Sequence, residues 1–277
     1  MRAKKPGEVL IQTVDIPKLE RGTLTFNILG TTPIILNRMS QKGARELLLP
    51  PRKQRRKEGL KHNPMEEFKA SPYIDENPKG PTYVQHLASA FKGALCGAAL
   101  DLPGASKAQI GRLVRVEGER VSLYGVPKLK MDITRNADIN KTPDVRTRCC
   151  LPEWCCTISI SFSMPLFNKQ SIFNLLITSG EFQGIGDYRC GKGKGTFGSF
   201  TPVNEGDPTW KRIKEAGGRK IQVEAMSNPQ FYDSETEEMY AWFLDEIRRR
   251  GDEALLTGAP AAVEEVTAVR AAAKAGK

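Results

Sequence analysis

The chain reads as an α+β fold. Two stretches alternate with the period of a half-buried strand: Leu24, Phe26 and Ile28 against Thr23, Thr25 and Asn27, then Ile158, Ile160 and Phe162 against Thr157, Ser159 and Ser161. Residues 83–99 instead carry Val84, Leu87, Ala88, Phe91, Leu95 and Ala98 on one helical stripe. With a short strand pair between them and a second helix and strand after them, the order is strand, helix, strand pair, strand, helix, strand. That is the split-βαβ, ferredoxin-like (RRM-like) plan.

Residues 1–20 precede the first strand as an extension. Arg21-Gly22 opens that strand, and Gly30-Thr31-Thr32-Pro33 breaks it before a short apolar segment, Ile34 to Leu36. Residues 38–81 read as a long irregular insertion. They hold Pro50, Pro51, Pro64, Pro72, Pro78 and Pro81 and the basic run Arg52-Lys53-Gln54-Arg55-Arg56-Lys57. A connection of that length in a compact domain is functional or mobile. The helix over 83–99 closes at Asp101-Leu102-Pro103-Gly104. A strand pair, Arg112 to Glu117 and Arg120 to Tyr124, turns at Glu117-Gly118-Glu119.

Residues 128–148 are polar and basic, with Lys128, Lys130, Arg135, Lys141, Arg146 and Arg148, and read as a protruding hairpin or loop. After the strand Thr157 to Ser163, a helix spans 169–179 and ends at Gly180, and a last strand covers about 196–203. Residues 206–256 form a C-terminal helical segment. Its helix, Ser234 to Arg250, carries Met239, Trp242, Phe243 and Ile247, with Ser234 as N-cap and Gly251 as stop. The Ala-rich tail, 257–277, has too little bulk to pack and is expected to be disordered. In this plan helices cover one sheet face and leave the other open. That open face carries Thr, Ser and Asn, so it offers no aromatic platform for bases and should meet sugar and phosphate.

The chain of 277 residues carries 42 Lys+Arg against 32 Asp+Glu, a net +10. Such an excess favours polyanions, nucleic acid before anionic membrane; the plain alternative is a basic solvated surface. Acidic clusters at Glu235, Glu237, Glu238, Glu264 and Glu265 push the positive field toward the rest of the chain. No run of apolar residues is long enough to span a bilayer, and the charged start Met1-Arg2-Ala3-Lys4-Lys5-Pro6 has no apolar region behind it. A cytoplasmic location and no membrane contact are expected. Of six cysteines, four crowd into Cys149-Cys150 and Cys155-Cys156 with no histidine nearby. Buried thiols on a strand explain that spacing better than zinc, so no metal and no cofactor is expected.

Two segments could carry function. Six glycines lie from Gly184 to Gly198, interleaved with Arg189, Lys192 and Lys194. Glycine lets backbone amides approach an anion, and the cations add charge; a plain flexible turn is the alternative. A dinucleotide loop needs a strand before it and a helix after it, the reverse of the order here, and the phosphate-loop Lys-Ser/Thr pair is absent. The other segment is Ser89-Ala90-Phe91-Lys92-Gly93-Ala94-Leu95, where Lys92 lies off the apolar stripe and is free to meet a phosphate.

Together these segments resemble the RAMP superfamily, the repeat-associated proteins of CRISPR effector complexes. The likeness rests on Ser89, Phe91, Lys92, Gly93, Ala94 and Leu95, and on Gly184, Gly186, Arg189 and the glycines from Gly191 to Gly195; Ala90 and Cys96 depart from it. It covers 21 to about 203 and is nearest to backbone subunits that polymerise along guide RNA. It implies a palm over 21–205, with the insertion 38–81 and a thumb over 112–148. Ser89, Lys92, Arg189, Lys192, Gly193 and Lys194 would hold the RNA backbone. Arg52, Lys53, Arg55 and Arg56 would face nucleic acid from the insertion, and Arg146 and Arg148 would sit at the thumb base. Implied partners are guide RNA, further copies of the chain in a filament-like assembly, other effector subunits, and target DNA or RNA.

Catalysis is not expected. His62 lies in the basic insertion and His86 on the first helix, and related RAMP endoribonucleases use a histidine as general acid or base. Asp75 lies in the first long loop, where some RAMP subunits carry a metal-binding Asp, but in no motif; Asp187 is expected to orient Arg189 or cap its turn. A phage or plasmid single-stranded DNA-binding or annealing protein would share the charge and the backbone recognition, although many such proteins stack bases on aromatics.

Overall fold

The computed structural model describes residues 18–39, 62–135, 143–192, 194–252 and 256. Arg52, Lys53, Arg55, Arg56 and Gly193, most of the N-terminal extension and the tail from 257 lie outside the described residues.

The fold is mixed α+β. Its first sheet contains β1 (Glu20–Gly30), β5 (Val114–Val116), β9 (Cys155–Met164) and β10 (Phe200–Val203), in the antiparallel order β10-β1-β9-β5. The alternation seen in the sequence sets its register. Leu24 faces Ile160 and Phe26 faces Ile158 across β1 and β9, so the apolar residues share one side. On the other side the Thr25 and Ser159 hydroxyls meet at 2.9 Å, and Thr157 donates to Asn27 at 3.0 Å. The apolar side is covered by α2 (Ala88–Ala98), through Phe91, Ala94, Leu95 and Ala98, and by α4 (Lys169–Thr178), through Ile172, Leu175 and Leu176. Each large side chain removed from water there contributes about 1.5–3 kcal/mol.

The polar side is not wholly open. Helix α5 (Pro208–Ala216) covers one end of it, setting Trp210 and Ile213 on Leu29, Cys155 and Val203. The polar run Thr23, Thr25, Asn27 gives way to Leu29, and across the ladder Thr157 gives way to Cys155, so this end has an apolar patch to bury.

Strands β1 and β9 continue past a shared corner as another pair, β2 (Ile34–Leu36) with β8 (Pro143–Leu151). Trp154 fills the corner, fully buried, donating its indole N–H to the Thr32 carbonyl at 2.8 Å. The ribbon then joins the second sheet, β11-β7-β8-β2, with β7 (Lys128–Arg135) antiparallel to β8 and β11 (Gln230–Phe231) parallel to β7. The stretch expected as a hairpin or loop is therefore a regular two-stranded arm; residues 136–142 lie outside the described residues. Of the span 112–148, only the part from Lys128 belongs to this arm. All four clustered cysteines are buried where β8 passes into β9, and burial pushes the Cys150 and Cys155 thiols up to about 12.

Several expected boundaries shift. The helix expected over 83–99 begins at Ala88; Val84–Leu87 is β4, the middle of a third sheet between β3 (Tyr73–Ile74) and β6 (Arg120–Ser122). Val84 and His86 alternate inward with period two, but Val84, Leu87 and Ala88 also fit the helical stripe, so periodicity alone could not part them. The strand expected from Arg112 starts at Val114, after α3 (Lys107–Leu113), which buries Ile110. The last strand starts at Phe200, because Gly195 to Ser199 cross other backbone. Inside the stretch expected to be irregular, α1 (Pro64–Ala70) forms with Asn63 accepting from the Glu66 amide and Pro64 in the first turn.

Helix α6 (Arg219–Ser227) follows α5 and is anchored by Gln222, whose wholly buried amide accepts from Tyr83 and Val84 and donates to Leu123, Gly125 and Gly217. Helix α7 (Ser234–Arg250) is capped by Asp233, not Ser234: the Thr236 amide donates to the Asp233 carboxylate at 2.8 Å, and residue 233 has the extended backbone a cap needs. Gly251 stops it in the left-handed conformation, as expected. No described helix is long and apolar enough to cross a membrane.

Candidate nucleic-acid interface

The glycine run starts where α4 ends. A π-helical turn, Ser179–Gln183, releases the chain at Gly184, and a short 3-10 turn, Cys190–Lys192, carries its middle. The loop lies on β2: the Asp187 amide donates to the Ile35 carbonyl at 2.8 Å, and the Gly198 amide to Pro33 at 2.7 Å. Close backbone crossings explain two of the glycines. A Cβ on Gly198 would overlap the Ile185 carbonyl, and one on Gly195 would overlap the Tyr188 carbonyl. These crossings account for that part of the glycine pattern.

The expected cations are placed in three settings. Arg189 spends one guanidinium N–H on the Gly186 carbonyl, at 2.8 Å, and so braces the loop. Lys192 and Lys194 are exposed. On α2, Ser89 is exposed and Lys92 half-buried. The helix meets the root of the loop through Gln183, whose side chain packs against both Gly97 and Gly191. The two motifs distant in sequence are thus neighbours.

Arg146 and Arg148 lie on β8 and share a cleft with the loop. Its volume is about 780 Å³, walled by Asp132, Ile133 and Thr134 from β7 and by Asn37, Asp187, Tyr188 and Phe197 opposite. Neither Ser89, Lys92, Lys192 nor Lys194 lines it. Arg148 donates to the Thr147 carbonyl at 3.0 Å, while its Nε is buried without a hydrogen-bond partner among the described residues. Burial works against its charge, and Asp187 opposes that effect. Arg146 pairs with Asp144 at 3.0 Å. Asp187 does not bond Arg189; it caps the turn, accepting from Asn37 at 2.8 Å and from the Tyr188 amide at 3.0 Å. Asn37, Arg146 and Arg148 also line a second hollow of about 430 Å³, with Arg38, Glu67 and Ser71.

Sequence reading missed Asn37, Arg38 and Tyr188. Arg38 and Arg120 both lie over the Tyr73 ring, at 5.4 and 4.0 Å. The available signal for Tyr188 was an aromatic residue set inside a run of glycines and cations.

The two histidines lie in different settings. His62 lies between two carboxylates, Nδ1 at 2.7 Å from Glu67 and Nε2 at 2.9 Å from Asp144, and so ties α1 to β8. Glu67 also accepts from the Thr147 amide. His86 is on β4, not the helix, with its Nε2 buried and without a hydrogen-bond partner among the described residues. Burial, and then the charges of Arg189 and Arg120, lower its pKa to about 4, so the ring is neutral at physiological pH. Asp75 accepts from the Asn77 amide at 3.0 Å in a local turn. Among the described residues no group of three or more His, Cys, Asp or Glu side chains could hold a metal ion.

No family model matches the chain, and no curated protein matches it. Among solved structures, Cmr6 from Pyrococcus furiosus is similar at 10% identity and a TM-score of 0.35, over 66% of this chain and 98% of that one. A likeness of that degree carries no weight in assigning a function.

Proposed function

We propose that this chain is a non-catalytic RNA-binding protein of RAMP type. It holds the sugar–phosphate backbone of guide RNA as a repeated subunit, with further copies and other effector subunits as its partners. Its core is a ferredoxin-like palm, and β7–β8 is the thumb. The observation that carries this reading is the shared cleft of glycine loop and arm, with Arg146 and Arg148 on one wall. The strand order β10-β1-β9-β5, with α2 and α4 in its crossovers, supports the palm. The positive charge supports backbone contact.

The test is binding of a labelled single-stranded RNA across a salt series. Each phosphate-gripping lysine removed should weaken binding to all sequences alike and flatten the salt slope by about one unit. Lys92→Ala and Lys192→Ala are the variants, and unchanged affinity and slope in both would overturn the assignment. The same RNA should stay intact with and without divalent metal; regular cuts would show an endoribonuclease.

A further inference from the structure

We infer that Tyr188 is a stacking platform for one unpaired RNA base, received in the cleft between the glycine loop and the β7–β8 arm. The inference rests on the RNA-binding reading and extends it from backbone to base.

Three observations lead there. Tyr188 is 58% exposed, though a large aromatic ring gains by burial. Among the described residues it is the one non-glycine with positive φ, 51°. A bulky side chain is unfavourable there and persists when its surroundings over-determine it. The surroundings do so: the Tyr188 amide is held by Asp187 at 3.0 Å, its carbonyl accepts from Phe197 at 3.2 Å, and Gly195 lies against it. Phe197 backs the ring, with centroids 6.0 Å apart. The backbone is thus locked so that the ring stands out at the cleft.

The chemistry of the cleft fits a nucleotide. Tyr188 and Phe197 line it from the loop together with Asp187, and Asp132 and Thr134 line it from β7. Arg146 and Arg148, with the charge to meet a phosphate, line it from β8 on the same face of the arm as Asp132, and Arg148 keeps a buried N–H without a protein partner among the described residues. At about 780 Å³ the space lies within the ~300–1,000 Å³ of small-ligand sites. The polar sheet face denies bases a platform on the strands; the loop supplies one instead.

The experiment uses the full chain and a labelled mixed-sequence single-stranded RNA over a salt series. Tyr188→Ala should weaken binding about 5- to 150-fold, the range for one base stack. The salt slope should not change, because no phosphate contact is lost. Tyr188→Phe should bind like the parent. Tyr188→Gly, which suits the left-handed backbone and so guards against misfolding, should lose as much as Tyr188→Ala. An abasic RNA should not distinguish Tyr188→Ala from the parent. If the lysine variants flatten the slope while Tyr188→Ala or Tyr188→Gly binds like the parent, the stacking inference fails and the RNA reading survives. If the parent binds no RNA, both fail. Equal or tighter binding of the same sequence as DNA, with the same loss in Tyr188→Ala, overturns the assignment of the base to RNA.

Discussion

His86 makes the stability of this protein depend on pH in a calculable way. The ring is buried, its Nε2 lacks a partner among the described residues, and Arg189 and Arg120 add positive potential, which together lower its pKa from 6.5 to about 4. Above about pH 6.5 the ring is neutral in folded and unfolded chain alike, and it adds no pH dependence. Between about 6.5 and 4 the unfolded chain takes up a proton that the folded chain refuses, so stability falls as pH falls. Below about pH 4 both states are protonated and the loss stops growing. Each pKa unit is worth about 1.4 kcal/mol, so the full loss is about 3 kcal/mol, of which about 2.5 is reached by pH 4.5. That is a large part of a typical folding free energy of about 5–15 kcal/mol. The assay is urea unfolding of the parent and of His86→Gln at a series of pH values. Carboxylates titrate in both proteins and cancel in the difference. The parent should lose about 2.5 kcal/mol more than His86→Gln between about pH 7 and 4.5. A difference that stays constant within about 0.5 kcal/mol would refute the reasoning, since additivity errors alone reach that size.

Gln222→Leu leaves the Tyr83 and Val84 amides without their acceptor in the interior. At about 1–3 kcal/mol for each stranded group the loss is about 4 kcal/mol, which lowers the midpoint of thermal unfolding by roughly 10 °C. A shift under about 3 °C, followed by circular dichroism, would show that water or rearrangement replaces the side chain. Of the six cysteines only the half-buried Cys96 and Cys190 should react with a thiol reagent in the folded protein, and Cys149, Cys150, Cys155 and Cys156 only after denaturation. Prompt labelling of four or more thiols would contradict the packing at the corner where β8 passes into β9.

The alternation of Leu24, Phe26 and Ile28 with Thr23, Thr25 and Asn27 was enough to define β1 and the side it buries, because a period of two assigns every second side chain to the core. The same holds for β9, while the three- and four-residue spacing of Ile172, Leu175 and Leu176 marked α4 and the left-handed Gly251 marked the stop of α7. The division between β4 and α2 was not legible, since one apolar spacing satisfies both periods over a few residues. Helices α5 and α6 were not told apart within the helical segment expected over 206–256, because what holds them is remote in sequence: Trp210 needs Leu29 and Cys155, and Gln222 needs Tyr83, Val84 and Leu123.

The candidate site divides in the same way. Sequence alone determined the residue types of the glycine loop, the cations within it and the basic character of Arg146 and Arg148. Only the tertiary structure decided that Arg189 is spent on bracing the loop, that Arg146 and Arg148 face Tyr188 across a cleft, and that His62 is held by Glu67 and Asp144. The reason is physical. A local pattern states which side chains prefer water or core, whereas the partner that consumes a hydrogen bond or charge is set by chain segments that meet only on folding.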